Sequence, residues 1–204
     1  MAGINPRHVA WIKSTAKEMN ARNLPADSAM GKSKSYATPL QMNDGDIEAL
    51  AFLVLMQASK SAQEDLKAVM AKVKAINNTK EQQRKNLAEL QKLQEAVANK
   101  GAGDPVGNIP PEFGNELKRA DSLKRIAGLQ IQGRRNYTLP KTKAALDQLA
   151  AQIKNDLDSM SEMGEMQSLR LQMAMDRLSK MMSTLSNLLK KIEKTQDSIV
   201  QNLK

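Results

Sequence analysis

The chain has no cysteine and a single histidine, His8. Without cysteine there are no disulfides, thiol nucleophiles or thiolate metal ligands, and one histidine cannot supply the several nitrogen ligands of a zinc site. Aromatic residues make up 2% of its 204 residues: one Trp, two Tyr and two Phe. The large cores of β-sandwiches and α/β enzymes lean on aromatic and β-branched side chains, so this shortage argues against both. No long apolar run exists either. The most hydrophobic stretch, Ile47 to Met56, is about half the roughly 20 residues that a membrane-spanning helix needs and contains Glu48. The start of the chain has Arg7 and Lys13 but no apolar core of the kind an export signal requires.

What is present points to helix. Hydrophobic residues still account for 41% of the chain, with 13 methionines, and the remainder is rich in Ala, Leu, Gln, Lys and Ser. The formal charge is +9, and it is uneven. Residues 1–43 hold six bases against two acids and residues 101–143 eight against four, whereas 44–100 and 144–204 are close to balanced.

The distribution of Pro and Gly divides the chain into four parts. Residues 1–43, interrupted by Pro6, Pro25, Pro39, Gly3 and Gly31, read as a flexible basic arm with one short helix over 9–21 carrying Trp11 and Ile12. Residues 44–100 form a first long helix. Asp44 or Asp46 caps its start, and Leu55, Ala62, Leu66, Val69, Val73, Ile76, Leu87, Leu90 and Val97 recur in steps of three and four, with Lys80 and Gln83 as polar members of the seam. Lys100, a left-handed Gly101 and Pro105 mark its stop. Residues 101–139 are a Gly/Pro-rich loop plus a short helix over 116–131, with Leu117, Ala120, Leu123 and Ala127 on one face. Residues 140–204 form a second long helix opened by Pro140. Its heptad register runs through Leu146, Ala150, Ile153, Leu157 and Met160, then Leu171, Ala174, Leu178, Met181, Leu185, Leu188, Ile192 and Ile199. The expected fold is all-α: a long antiparallel α-helical hairpin with a basic, partly helical connection and a flexible N-terminal arm.

Candidate sites concern surfaces rather than catalysis. Seven methionines fall between residues 160 and 182. Met163, Met166, Met173, Met175 and Met182, with Leu189, lie off the seam and widen the apolar stripe beyond what a two-helix hairpin buries. They serve either as core filling or as an adaptable docking surface. Leu171, Leu178, Met181, Leu185, Leu188, Ile192 and Ile199 are the residues expected to carry packing and assembly. Arg134, Arg135, Lys141 and Lys143 are the candidate anion contacts, with Tyr137 as a stacking ring beside them; their plainer reading is a solvated face, since no nucleic-acid-binding signature surrounds them. Asp156, Asp158, Glu162 and Glu165 cluster on the second helix at positions that look exposed, with no pocket for acid–base work. No catalytic or metal constellation emerges, and no cofactor is expected.

The last residues, Asp197, Ile199, Val200, Gln201, Asn202, Leu203 and Lys204, resemble the C-terminal helix of type III secretion needle and filament subunits. That resemblance implies a helical hairpin polymerising through its terminal helices into a filament. It also implies export by a route that needs no cleaved signal, and partners that are further copies of itself, other secretion-apparatus proteins or a chaperone. The chain is far longer than needle subunits, which fits a longer filament or tip-associated relative better. Two other readings stand beside it. One is a cytoplasmic coiled-coil adaptor or nucleic-acid-associated protein using the basic middle segment. The other is a membrane-interacting translocator using residues 47–56.

Overall fold

The computed structural model describes residues 5–126 and 137–202, without the side chains of 124–126, 196 and 198–202. The described residues form five α-helices: α1 (Pro6–Ala21), α2 (Ser28–Ala37), α3 (Asp44–Ala96), α4 (Pro111–Ile126) and α5 (Lys143–Asn202). Among them there is no strand, only an isolated bridge between Pro105 and Thr142. The chain is all-α, and its two long helices pack against each other as an antiparallel hairpin. Two compact units share those helices: unit 1 comprises residues 1–68 and 171–204, unit 2 residues 69–170.

In unit 1 the interior is built from Ile47, Leu50, Val54 and Leu55 of α3, Met181, Leu185 and Leu188 of α5, and Ile12, Ala16, Met19, Ala29 and Ala37 from the N-terminal segment. The structure differs here from the sequence expectation of a flexible arm over 1–43. Both α1 and α2 are folded onto the core, α1 through Ile12 and Met19 beside Ala16, and α2 through the small Ala29, Ser33 and Ala37, each no more than 8% exposed. Small residues let helix axes approach closely without a strong apolar stripe. The start of α1 is fixed by the Asn5 side chain, which accepts from the Arg7 N–H at 3.0 Å, and by Pro6 in the first turn. Trp11 stacks on Tyr36, with ring centroids 4.2 Å apart, and His8 Nδ1 lies 3.0 Å from the Tyr36 hydroxyl.

The first turn of α3 is capped by Asn43, whose Oδ1 accepts from the Asp46 N–H at 2.8 Å, rather than by Asp44 or Asp46. Its far end also differs from expectation. The positive-φ glycine among the described residues is Gly107, at φ 100°, and not Gly101. The carbonyls left open after α3 are instead met by Lys143, whose Nζ donates to Ala98 O at 2.9 Å and Lys100 O at 2.8 Å. That ammonium, at the start of α5, ties the two ends of the connection together.

In unit 2, α3 and α5 meet through Ile76, Leu90, Leu146, Ile153 and Met160, and α4 adds Phe113, Leu117 and Ala120. α4 begins at Pro111, five residues before the predicted start, because Pro111 suits a first helical turn and Phe113 has a core to fill. α5 begins at Lys143 rather than Pro140, with Thr142 Oγ1 accepting from the Ala145 N–H at 3.3 Å.

Candidate functional site

The exposed apolar surface lies mainly on α5. In unit 1, the side chains of Met175, Met182 and Leu189 are 55, 49 and 46% exposed, and Met173 is 56% exposed. Met175, Met182 and Leu189 recur every seven residues on a regular helix, so they fall in one strip. Leu171 and Leu178, both half-buried, sit one turn away on the same flank. In unit 2, Met166 and Leu169 are each 58% exposed.

The roles predicted for α5 are redistributed. Met181, Leu185 and Leu188, expected to carry packing and assembly, do the packing: they are buried in the core of unit 1. Ile192 is half-buried beside them, and the Ile199 side chain lies outside the described residues. Of the methionines expected as an adaptable surface, Met166, Met173, Met175 and Met182 are exposed, while Met163 packs beside Ile76 and Met160. The seam of α5 is thus consumed inside the chain, and its flank faces solvent.

At least two polar contacts hold α5 in unit 1. The Arg177 guanidinium donates to Met19 O at 2.6 Å, Asn20 O at 3.2 Å, Asn20 Oδ1 at 3.1 Å and Asn23 Oδ1 at 2.8 Å. It therefore satisfies carbonyls at the end of α1 from a helix far away in sequence. Asn20 in turn donates to Ala58 O on α3 at 3.0 Å. Burial lowers the pKa of Arg177, partly offset by the nearby Asp65. The second contact joins Lys191 Nζ to Glu48 Oε1 at 2.8 Å, and it raises the Lys191 pKa chiefly through that hydrogen bond. A cleft of about 260 Å3 lined by Met30, Leu55, Thr184, Leu188 and Lys191 lies close by.

Unit 2 holds a buried polar group that was missed by sequence reasoning. The Tyr137 hydroxyl donates to Asp156 Oδ2 and accepts from Gln83 Nε2 at 3.0 Å, and the Tyr137 N–H donates to Asp121 Oδ2 at 2.9 Å. Tyr137, Asp156 and Gln83 are all buried. Burial first, then the Asp156 carboxylate, pushes the tyrosine pKa far above its ordinary value. This corrects two expectations. Tyr137 is an interior hydrogen-bonding residue and not an exposed stacking ring, and Asp156 is not on the surface with Asp158, Glu162 and Glu165. The available signal was Gln83, a polar residue on the seam of α3.

Of the four anion-contact candidates, Lys143 is engaged with the carbonyls of Ala98 and Lys100, just past α3, and Lys141 is exposed. Arg134 and Arg135 lie outside the described residues. The stretch 47–56 is largely interior, with Ile47, Leu50, Ala51, Val54 and Leu55 buried and Met56 exposed. Among the described residues no helix is long and apolar enough to cross a membrane, and no group of His, Cys, Asp and Glu could hold a metal ion. No protein-family model, no curated protein and no solved structure matches this chain.

Proposed function

We propose that this chain is a non-enzymatic, self-associating helical protein whose copies join through the outer flank of α5. The observation that carries this reading is the seven-residue recurrence of Met175, Met182 and Leu189, each about half exposed beside a seam that is already filled. Heptad spacing is what a second helix needs to pack along a first, and unbranched methionines adapt to such a surface. Burying the exposed half of each side chain contributes roughly 1 kcal/mol. Over two copies this is comparable to the ~4–15 kcal/mol cost of association. The contact is therefore weak and concentration-dependent.

In finer terms, we read the chain as a structural subunit or accessory of a bacterial secretion-type filament, secreted without a cleaved signal. The support for this is the C-terminal resemblance over Asp197 to Lys204.

Light scattering and electron microscopy across a concentration series test the reading. The wild-type chain should form oligomers or filaments, and Met175→Asp with Met182→Asp and Leu189→Asp should abolish them while leaving the helix content unchanged. Leu185→Asp is unsuitable for this purpose, because it places a charge in the core of unit 1 and unfolds the protomer. A wild-type chain that stays monomeric at every concentration would sink the proposal.

A further inference from the structure

The two long helices of unit 2 carry opposite charge. Residues 70–88 of α3 hold Lys72, Lys74, Lys80, Arg84 and Lys85 against Glu81 alone, a net +4. Between Lys154 and Arg170, residues 155–169 of α5 hold Asp156, Asp158, Glu162 and Glu165 and no base, a net −4. These charges do not neutralise each other inside the chain. Glu81 pairs with Lys85 on its own helix at 2.8 Å, and Asp156 is committed to Tyr137. Among the described residues, Asp158, Glu162, Glu165, Lys74 and Arg84 take part in no ion pair, and all five are exposed.

Helical spacing explains why. Asp158, Glu162, Glu165 and Leu169 follow steps of four, three and four, so they form one strip. That strip lies on the opposite side of α5 from the buried Ile153 and Met160. On α3, Met70 and Lys74 share a strip turned away from the buried Ile76. The two strips sit at the same level, since Gly164 of α5 lies against Ile76 of α3. Each strip also presents bare apolar surface: Met166 and Leu169 are 58% exposed on the acidic side and Met70 53% on the basic side.

We infer that the acidic outer face of α5 in unit 2 docks the basic outer face of α3 in unit 2 of a second copy. Exposed methionine and leucine form the middle of the contact, Glu162 and Glu165 meet Lys74 beside it, and Arg84, about 15 Å further along α3, extends the basic face. The inference deepens the self-association reading and rests on it. It adds directionality. A contact through the Met175, Met182 and Leu189 strip alone can close as a symmetric pair, whereas two different faces make a head-to-tail contact that adds copy after copy as an open filament unless the rotation closes it into a ring.

Charge reversal tests it on the full-length chain, with mass followed by light scattering at low and high salt. Glu162→Lys with Glu165→Lys should raise the concentration for half-assembly by roughly 100-fold, the expected effect of like charges across an interface. Short closed oligomers held by the other strip should remain. Lys74→Glu with Arg84→Glu should do the same. A chain carrying all four reversals should assemble like the wild type, because its faces are complementary again. Far-UV circular dichroism of each variant confirms that the surface changes leave the protomer folded. If wild-type polymers are indifferent to either reversal, or the four-fold variant fails to recover, the docking is overturned and self-association survives. A wild type that never assembles overturns both.

Discussion

In unit 1, apolar and small side chains make up most of the interior, the buried carboxylate of Glu48 is reached from the surface by Lys191, and Arg177 binds the end of α1. In unit 2, polarity is at the centre: Thr79, Gln83, Asn86, Tyr137 and Asp156 are all buried. The same pair of helices thus uses two packing strategies along its length. Apolar packing tolerates sliding by a turn at modest cost, because one leucine fits another's hole. A buried hydroxyl–carboxylate–amide set is satisfied in one alignment, and any other strands a buried polar group at about 1–3 kcal/mol. Unit 2 therefore fixes the register of α3 against α5, as a polar seam residue does in a coiled coil. It does so imperfectly, since Gln83 Oε1 and Asn86 Nδ2 are buried without a partner.

The largest expected break in this contrast comes from the apolar side. Leu55→Ala should cost unit 1 about 3 kcal/mol through lost burial and a cavity. Trp11, the single tryptophan, lies in unit 1 and reports on it by fluorescence. Its urea midpoint should fall further for Leu55→Ala than for Leu90→Ala in unit 2. Next is Arg177→Ala, which leaves Met19 O and Asn20 O without a charged donor. About 2 kcal/mol of stability should be lost, with amide exchange quickening first at the end of α1.

Tyr137→Phe comes third, at roughly 1–2 kcal/mol, because the Asp156 carboxylate loses a donor and Gln83 an acceptor. This change carries a pH signature. The phenol's pKa is higher in the folded than in the unfolded chain, where it is near 10.0. Its contribution is therefore fully present below that value and is lost as the pH rises above it. The wild type should weaken at alkaline pH more steeply than Tyr137→Phe, and parallel alkaline profiles would refute the assignment. The smallest effect is Gln83→Leu. It removes one bond to Tyr137 but also an unsatisfied carbonyl oxygen, so denaturation should shift by less than about 1 kcal/mol.

The two long helices were legible because helical periodicity survives wherever Pro and Gly are absent. Leu146, Ile153, Met160, Met181, Leu185 and Leu188 were placed on the seam of α5, and all six are buried. Of the N-terminal helices, α1 was legible as a short helix over 9–21, but its docking onto the core and the whole of α2 were not. Their packing depends on Ala16, Ala29, Ser33 and Ala37, and small residues give no apolar stripe to detect; their burial depends on what approaches them. Tyr137 was misjudged for a related reason. Its neighbours in sequence are arginines, but its neighbours in space are Gln83 and Asp156, 54 and 19 residues away. The α5 flank was half legible. Its excess width was visible, but which strip the hairpin consumes depends on how α1, α2 and α3 surround it.

The bonds from Arg177 to Met19 and Asn20 bear on the order in which the chain can be built. They join residues separated by 158 and 157 positions, and unit 1 draws on both ends of the chain, while unit 2 is one continuous stretch. As the polypeptide leaves the ribosome, α1 and α2 emerge first yet have no α5 to close against. Unit 2 has all its parts once residue 170 is made, before any of the α5 segment of unit 1. Folding during synthesis should therefore run from the middle outward, against the usual N-to-C order. Until residue 171 and those beyond it appear, Val54 and Leu55 lack their α5 partners, and a holding chaperone has an apolar surface to bind.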